Sequence, residues 1–445
     1  MKELKKLKKI IIVVLIIIIL ILLLILKMNK NNQNTTIEED VLSNEITEKV
    51  LEENDNGFKK IDDSSMFFAV LDSLNKYINV LDYKINEDNT LEENPYEIKS
   101  ENDKKKVLFS MLDSDYKEEN NITSEDNIII GDNISEFSII PIEMKVKYGD
   151  RIQVYALHVY LENVDKKSLT QRYFIVKIDN NNSTFSIKPL DEEYEGIDEI
   201  NENQKVESID INDYNQCYVD NISDEALIKM YMEKYRYMAV NYPEVVYNNY
   251  FDEEYRNARF KNVDNFISYV ESIEDEISEV KVIKYSKNFY TDYNEYIIID
   301  QYDNPYIFKE NSIMNFTIKL DNYTIPTDTF KQTYLESEDE KKVQMNIDKF
   351  FQMINRRDYQ TSYNCLADSF KNNYFNTEEK FEEYAKDRFF SYNKIKFNSY
   401  EKVGADLYTF EVEVSDLLEE DSEPIKINII MKLEDDLNFK MSFDM

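Results

Sequence analysis

Histidine and cysteine, which serve as base and nucleophile in many enzymes, are scarce in this chain. Its single histidine, His158, lies in the run VYALHVYLEN, where residues alternate as they do in a β-strand. A Ser-His-Asp or Cys-His mechanism would have to use this imidazole as its base. We therefore interpret His158 as a β-sheet side chain, and we predict a protein that is not an enzyme and has no catalytic residues.

The two cysteines, Cys217 and Cys365, lie far apart, and no histidine cluster accompanies either of them. Zinc and haem sites need several such ligands at short spacing, so the sequence predicts no metal site. A disulfide between the two thiols is permitted in an oxidising compartment. Two separate small buried residues are the simpler expectation.

Glycine spacing argues against phosphate binding. No phosphate-cradling spacing or nucleophile elbow occurs among the five glycines, which are Gly57, Gly131, Gly149, Gly196 and Gly404. The run DIND at Asp210–Asp213 hints at a calcium loop but lacks its glycine and its distal glutamate, so we interpret it as solvated linker. With 89 Asp plus Glu residues, carboxylate pairs identify no acid–base site. We predict no cofactor.

Charge limits the partners. The 445 residues carry a formal charge of −36. Residues 1–30 contain seven lysines and one glutamate, so the rest of the chain carries −42. A surface this negative repels nucleic-acid phosphates and anionic lipid head groups. We therefore predict that the main body binds no nucleic acid and that cationic partners suit it better.

An unbroken run of isoleucine, valine and leucine extends from Ile10 to Leu26. As a helix rising about 1.5 Å per residue it would cover most of a ~30 Å bilayer core, and the stems of Lys9 and Lys27 would extend it. More lysines precede the run than follow it closely, so the positive-inside rule predicts a cytoplasmic N-terminus. The prediction is a single-pass cell-membrane protein with the lipid bilayer as a partner: a basic tail at 1–9, a transmembrane helix at 10–28 and an extracellular C-terminal region.

A cleaved secretory signal is the competing interpretation of this run. Signal peptides have a shorter apolar stretch and end in small residues. Here residues 27–31 read KMNKN, without a small-residue cleavage site, and no cysteine follows that would mark a lipoprotein. We therefore favour an uncleaved signal-anchor.

An internal repeat follows an acidic segment. Residues 29–60 are polar and acidic, which predicts a linker. A shift of 115 residues then lays Met230–Tyr269 onto Met345–Tyr384 without a gap. The matched pairs share their chemistry, and they include Lys234/Lys349, Tyr235/Phe350, Asn249/Asn364, Tyr255/Phe370 and Phe266/Phe381. A register of this length indicates a duplicated domain.

Each unit changes from helical to strand-like periodicity. In the last unit Ser337 and Glu340 predict a capping box at the first helix. The spacing of Tyr359, Tyr363, Leu366 and Phe370 predicts a second helix, and Asn376 or Thr377 predicts the start of a third. Period-two runs such as LYTFEVEV and IKINIIMKL then predict strands. The sequence therefore predicts an α+β fold in which a transmembrane helix precedes two or three tandem domains, each with three helices packed on a curved antiparallel sheet. The predicted boundaries are a divergent first domain at 61–200, a linker at 201–222, a second domain at 223–335 and a third at 336–445.

Two segments resemble the nuclear transport factor 2-like superfamily. They are MAVNYPEVVYNNYFDEEYRNARFKNVDNFISYV (Met238–Val270) and MINRRDYQTSYNCLADSFKNNYFNTEEKFEEYAKDRF (Met353–Phe389), each followed by strand-like runs. The resemblance implies cone-shaped domains, in which three helices pack into a strongly curved sheet. It bears on fold more than on function.

A transmembrane helix followed by tandem domains of this type is similar to the membrane-anchored scaffold component of Gram-positive conjugative (type IV secretion) machinery. That resemblance implies outer domains that pack with each other and with partner subunits, without catalysis. The strong acidity and the third domain depart from the family's pattern.

Two hypotheses for function follow. The first is a non-enzymatic single-pass membrane protein that exposes tandem α+β domains outside the cell as a scaffold of a bacterial envelope complex, with conjugative transfer as one such role. It implies protein partners in the envelope and is compatible with a homo-oligomer. The alternative is a membrane-anchored ligand-binding or hydrolytic domain that uses a cavity between helices and sheet, although an ordinary aromatic core is the simpler interpretation of the inward Tyr and Phe residues.

Overall fold

Three antiparallel sheets, each formed by strands that follow one another along the chain, organise the protein. The computed structural model describes residues 58–82, 98–130, 137–164, 166–181, 184–194, 199–206, 222–419 and 422–445. Over these ranges the chain is α+β, with 13 α-helices and three sheets. We call 58–206, 222–336 and 337–445 the first, second and third lobes.

The first lobe contains a five-stranded sheet. Its helices are α1 (Ser64–Asp82), α2 (Glu101–Met111) and α3 (Ser114–Glu119), and its strands, in spatial order, are β1 (Lys59–Lys60), β2 (Phe137–Tyr148), β3 (Ile152–Asn163), β4 (Ser168–Asp179) and β5 (Thr184–Leu190). Alternation along β3 gives the sheet two apolar faces: Tyr155 and Leu157 join the helices in the main core, whereas Ile152 and Val154 pack with Phe58. We call the second face the outer face.

The second lobe places its helices before and after a four-stranded sheet. They are α4 (Asp224–Asn241), α5 (Pro243–Asn249), α6 (Glu253–Arg259), α7 (Val263–Ser272), α8 (Glu274–Ser278) and, after the sheet, α9 (Asp328–Glu336). The strands pair in chain order as β6 (Val282–Phe289), β7 (Asn294–Asp300), β8 (Pro305–Ser312) and β9 (Asn315–Lys319).

The third lobe repeats the plan with four helices. They are α10 (Asp339–Asn355), α11 (Tyr359–Asn364), α12 (Asp368–Tyr374) and α13 (Glu378–Arg388), and the strands β10 (Asn393–Lys402), β11 (Leu407–Asp416), β12 (Ile425–Leu433) and β13 (Phe439–Phe443) pair in that order. Its core is a separate apolar cluster, whereas one continuous cluster runs through the first and second lobes. The first two lobes therefore bury their apolar surface together.

The predicted three helices per sheet are wrong for the second and third lobes, which have five and four helices ahead of their sheets over the described residues. In the third lobe the predicted second helix is broken at Leu366. The amide of Ala367 donates to the Met441 carbonyl oxygen at 2.8 Å, and the Met441 amide donates to the Cys365 carbonyl oxygen at 2.9 Å. These backbone groups bond a strand, so they are not available to continue a helix.

Backbone hydrogen bonds to a strand also interrupt the helices of the other two lobes. In the second lobe the Ile318 amide donates to the carbonyl oxygen of Tyr250, which lies 115 residues before Cys365, at 2.7 Å. In the first lobe the Asp113 amide donates to the Ile187 carbonyl oxygen at 2.9 Å, beside an isolated parallel bridge between Leu112 and Ile187. In all three lobes a helical segment is thus tied to the last strand.

The helix caps follow the sequence only in part. Thr377 caps α13 by accepting a hydrogen bond from the Lys380 amide, as predicted. The predicted capping box at Ser337 is wrong, because α10 begins after Glu338 without a side-chain cap. The Ser337 hydroxyl instead donates to the Thr333 carbonyl oxygen at 2.6 Å and closes helix α9.

The membrane element of the predicted fold class also needs correction. No helix of the described ranges is long and apolar enough to cross a bilayer. The predicted transmembrane helix at 10–28, the basic tail at 1–9 and most of the acidic linker lie outside the described residues. The fold that the structure provides is three α+β lobes.

Candidate functional site

The residues considered as chemical candidates are dispersed. His158 lies in β3, as its alternating run predicted, and its ring stacks on Tyr173 at 4.5 Å between centroids. Burial is the main reason why the pKa of the imidazole is lowered. Cys365 ends helix α11 half-buried, and burial raises the pKa of its thiol to about 11, so it is protonated at neutral pH. Cys217 and Asp210–Asp213 lie outside the described residues.

The interior of the second lobe, where a ligand cavity between helices and sheet was considered, is packed with aromatic side chains. Tyr231, Tyr235 and Tyr255 are all fully buried. The Tyr231 hydroxyl donates to Glu310 at 2.8 Å, and the Tyr255 hydroxyl donates to Asp321 at 2.8 Å. These side chains form a polar-centred core rather than an open ligand site.

Arg356 of the third lobe closes the end of that interior. Its guanidinium lies 4.7 Å from the Tyr306 ring centroid and donates to the Pro305 carbonyl oxygen at 2.7 Å. Burial raises the pKa of the neighbouring Asp300, and the positive charge of Arg356 opposes that rise. The void left beside Arg356 is about 10 Å³, close to the minimum that holds one water.

A buried carboxylate joins the first and second lobes. Glu162, at the end of β3, is only 5% exposed. It accepts hydrogen bonds from the hydroxyls of Tyr237, of Tyr242 at 2.6 Å and of Ser138 at 2.8 Å. Three hydroxyl donors offset the cost of burying this charge and fix helix α4 on the outer face of the first sheet.

The largest cavity described lies elsewhere on that outer face, and its volume is about 490 Å³. We call it the outer-face cavity. Its floor is apolar and consists of Val154, Ile175, Leu190, Tyr194 and Ile200. Such a volume falls in the ~300–1,000 Å³ range of small-molecule and cofactor sites.

Lys177, whose ammonium has a partner for each of its three hydrogens, forms one wall of the outer-face cavity. The Lys177 ammonium contacts Asp113 at 3.2 Å, Asp115 at 2.7 Å and the Gln204 side-chain oxygen at 2.7 Å. These partners use all three of its hydrogens. Because Gln204 also donates to Ser114 at 2.6 Å, the cluster ties the segment after β5 to helix α3.

The rim of the outer-face cavity is acidic. Asp191, Glu192, Glu193 and Glu199 are exposed, and none of them has an ion-pair partner among the described residues. Lys188, the other cation of the lining, is already paired with Glu119 at 2.7 Å. An apolar floor beneath unpaired carboxylates suits the alkyl stem and the cationic end of a lysine or arginine side chain.

Comparison with known proteins adds no information on the function of these sites. No family model, curated protein or solved structure matches this chain. No group of three or more His, Cys, Asp or Glu residues in the described ranges is placed to hold a metal ion.

Sequence reasoning missed the outer-face cavity. Two signals pointed toward it: Lys177 is the one charged residue in the apolar stretch FIVKI, and the acidic run DEEYEGIDEINE begins directly after β5. The predicted linker begins at residue 201, whereas Gln204 and Val206 lie on the first sheet.

Proposed function

We propose that this chain is a non-enzymatic interaction scaffold of the cell envelope and that its outer-face cavity receives a cationic side chain of a protein partner. The observation that carries the proposal is the position of the cavities in the fold. The interior of the second lobe is filled, whereas, among the described residues, the largest cavity with a stated volume lies on an outer face beneath an acidic rim.

The joints between lobes fit a scaffold. Glu162 at the first joint and Arg356 at the second are each about 5% exposed and bonded to the neighbouring lobe. A protein that holds partners in a set arrangement needs such fixed joints, since flexible linkers would let the lobes move independently.

The charge of the chain favours the same class of partner. At −36 overall, the protein attracts basic surfaces over a Debye length of about 8 Å at physiological salt and repels phosphate backbones. Location at a membrane, homo-oligomerisation and a role in conjugative transfer stay predictions from the sequence.

Binding of a basic peptide to the purified full chain tests the proposal. We expect an Ac-GKGRG-amide peptide to bind saturably, with a salt-dependent Kd, and a Glu192→Gln/Glu193→Gln/Glu199→Gln variant to bind it at least about tenfold more weakly. A triple variant at exposed acids outside the lining, Glu244→Gln/Glu253→Gln/Glu254→Gln, is the matched control and should bind as the wild type does. Equal binding by both variants would contradict the assigned site.

A further inference from the structure

A second cavity, of about 250 Å³, lies at the joint between the first and second lobes. We call it the joint cavity. His158 and Tyr160 of β3 line it from the first lobe, and Lys234, Asn249 and Tyr250 line it from the second. It is smaller than the ~300–1,000 Å³ of drug-sized ligand sites, so it suits only a small molecule.

The lining of the joint cavity differs in charge from the rest of the chain. No described lining residue is Asp or Glu, although the sequence has 89 of them. The Lys234 ammonium donates to the carbonyl oxygens of Pro141 and Met314, both at 2.7 Å, which leaves one of its three hydrogens. Two carboxylates outside the lining act on the His158 imidazole, the exposed Glu193 and Glu143. Glu143 pairs with Lys145 at 2.9 Å.

Two polar atoms of the lining lack hydrogen-bond partners among the described residues. They are the Tyr250 hydroxyl, on a residue only 6% exposed, and Nε2 of His158. A buried hydroxyl without a partner destabilises the fold, so such atoms are rare in native interiors. A phenol donates a hydrogen bond, and imidazole Nε2 donates one in one of its tautomers.

The remaining wall of the joint cavity is aromatic. The Tyr250 and Phe316 rings meet edge to face at 5.5 Å, and the Lys234 ammonium lies 5.1 Å from the Phe316 centroid. Asn249 adds an amide that donates to the Tyr160 hydroxyl at 2.9 Å and keeps its second hydrogen. Hydrogen-bond donors and one cation thus surround a flat apolar surface.

We propose that the joint cavity binds a small planar carboxylate, whose charge meets Lys234 and the donors of Tyr250 and Asn249 while its apolar body lies against Phe316. This site is separate from the acidic outer-face cavity and does not depend on the scaffold proposal. A ligand here would contact both lobes and therefore stabilise their joint.

Benzoate is the probe for the full chain, with benzamide and benzylammonium as neutral and cationic analogues. At pH 6, below the pKa of about 7 that burial gives the Lys234 ammonium, we expect benzoate to bind saturably in calorimetry and to raise the Tm, benzamide to bind at least about tenfold more weakly, and benzylammonium not to bind. Because the chain has one histidine, the single ¹³C-labelled His158 Hε1 signal reports on the cavity. That signal should shift with the same Kd.

Asn249→Asp places a negative charge in the cavity with almost no change of shape and should abolish benzoate binding. Asn248→Asp is the matched control, because the Asn248 side chain donates to the Glu244 carbonyl oxygen on the exposed side of α5. Asn249→Ala, which adds no charge, should retain weakened binding. No saturable benzoate binding, binding without a shift of the His158 signal, or equal loss in both Asp variants would each overturn the proposal.

Discussion

The ammonium group of Lys234, on helix α4, donates to the carbonyl oxygen of Met314 at 2.7 Å. Met314 lies in the turn of the hairpin between β8 and β9. Met314 has left-handed backbone, with φ of 62°. In the third lobe Lys349 donates to the carbonyl oxygen of Leu437, whose φ is 63°, at 3.4 Å. The two lysines are 115 residues apart. The same kind of hydrogen bond, from a helix lysine to a turn carbonyl oxygen, therefore fixes the last hairpin in both lobes.

The pH dependence of stability should report on Lys234. Burial lowers the pKa of its ammonium to about 7, whereas an unfolded lysine has a pKa of about 10.4. Between these values the unfolded chain binds more protons, so the lysine's penalty to folding shrinks as pH rises. From pH 7.0 to 8.5 the wild type should gain roughly 1.5 kcal/mol in unfolding free energy relative to Lys234→Met.

Urea unfolding of both proteins at the two pH values measures this gain. Lys229→Met, at an exposed position of the same helix, should show no such pH-dependent difference from the wild type. A difference between wild type and Lys234→Met that does not change with pH would be inconsistent with a buried ammonium.

Substitution at Glu162 should weaken the first joint. Glu162→Gln replaces one accepting oxygen by an amide that cannot accept the tyrosine or serine hydroxyls, so we expect a loss of about 1–3 kcal/mol in unfolding free energy. Glu233→Gln, whose carboxylate makes only an exposed ion pair with Arg236, should change it by less than about 0.5 kcal/mol. Equal effects in chemical denaturation would show that the three hydroxyls do not stabilise the joint.

Substitution of Arg356 should lower the unfolding free energy far more than substitution of its neighbour Arg357. Arg356→Met removes the buried cation near Asp300 and should cost about 3 kcal/mol or more. Arg357→Met, which breaks a partly exposed pair with Glu276, should cost about 1 kcal/mol or less. Hydrogen exchange of the 300–306 backbone should accelerate only in Arg356→Met, and unchanged exchange there would refute a closing role for this side chain.

Asp348 offers a stabilising substitution. Burial, and after it the like charge of Asp303, raises the pKa of Asp348 to about 6. Below about pH 3 the group is protonated in both states, whereas above pH 6 the folded protein holds a poorly solvated carboxylate, so stability falls as the pH rises between these values. Asp348→Asn should therefore stabilise by roughly 1–3 kcal/mol at pH 7 and much less at pH 4.5.

Denaturation of Asp348→Asn at both pH values checks this expectation. Asp368→Asn, at an exposed carboxylate that pairs with Lys371, is the control and should show a small effect of the opposite sign, because that pKa is lowered by its lysine. A destabilised Asp348→Asn at pH 7 would mean that the carboxylate is needed in its charged form.

Local patterns predicted much of the fold. Alternation located strands such as β3 and β11, and the 115-residue register paired Tyr250 with Cys365, which accept equivalent bonds. The helix break at Leu366 was missed, because it depends on a hydrogen bond to β13 that no local propensity encodes. Ser337 matched a capping pattern but lies at the end of the preceding helix.

The candidate sites were less accessible to sequence reasoning. Lys177 was visible as a charge within a strand, but its partners Asp113 and Gln204 lie 64 and 27 residues away. His158 was correctly placed on a sheet, yet its position in the joint cavity depends on how helices α4 and α5 of the second lobe dock on the first sheet. Contacts between lobes leave no periodic signal in the chain.

Site-specific photocrosslinking in the cells that make this protein tests most directly whether a protein partner binds at the outer-face cavity. A benzophenone side chain at Tyr194, on the outer-face cavity, should yield a discrete protein adduct, and the adduct should disappear when Glu192, Glu193 and Glu199 are changed to Gln. The same probe at Ile129, which is 93% exposed and outside the cavity lining, should yield none. No adduct at position 194, or an adduct that survives loss of the acidic rim, would contradict the proposed function.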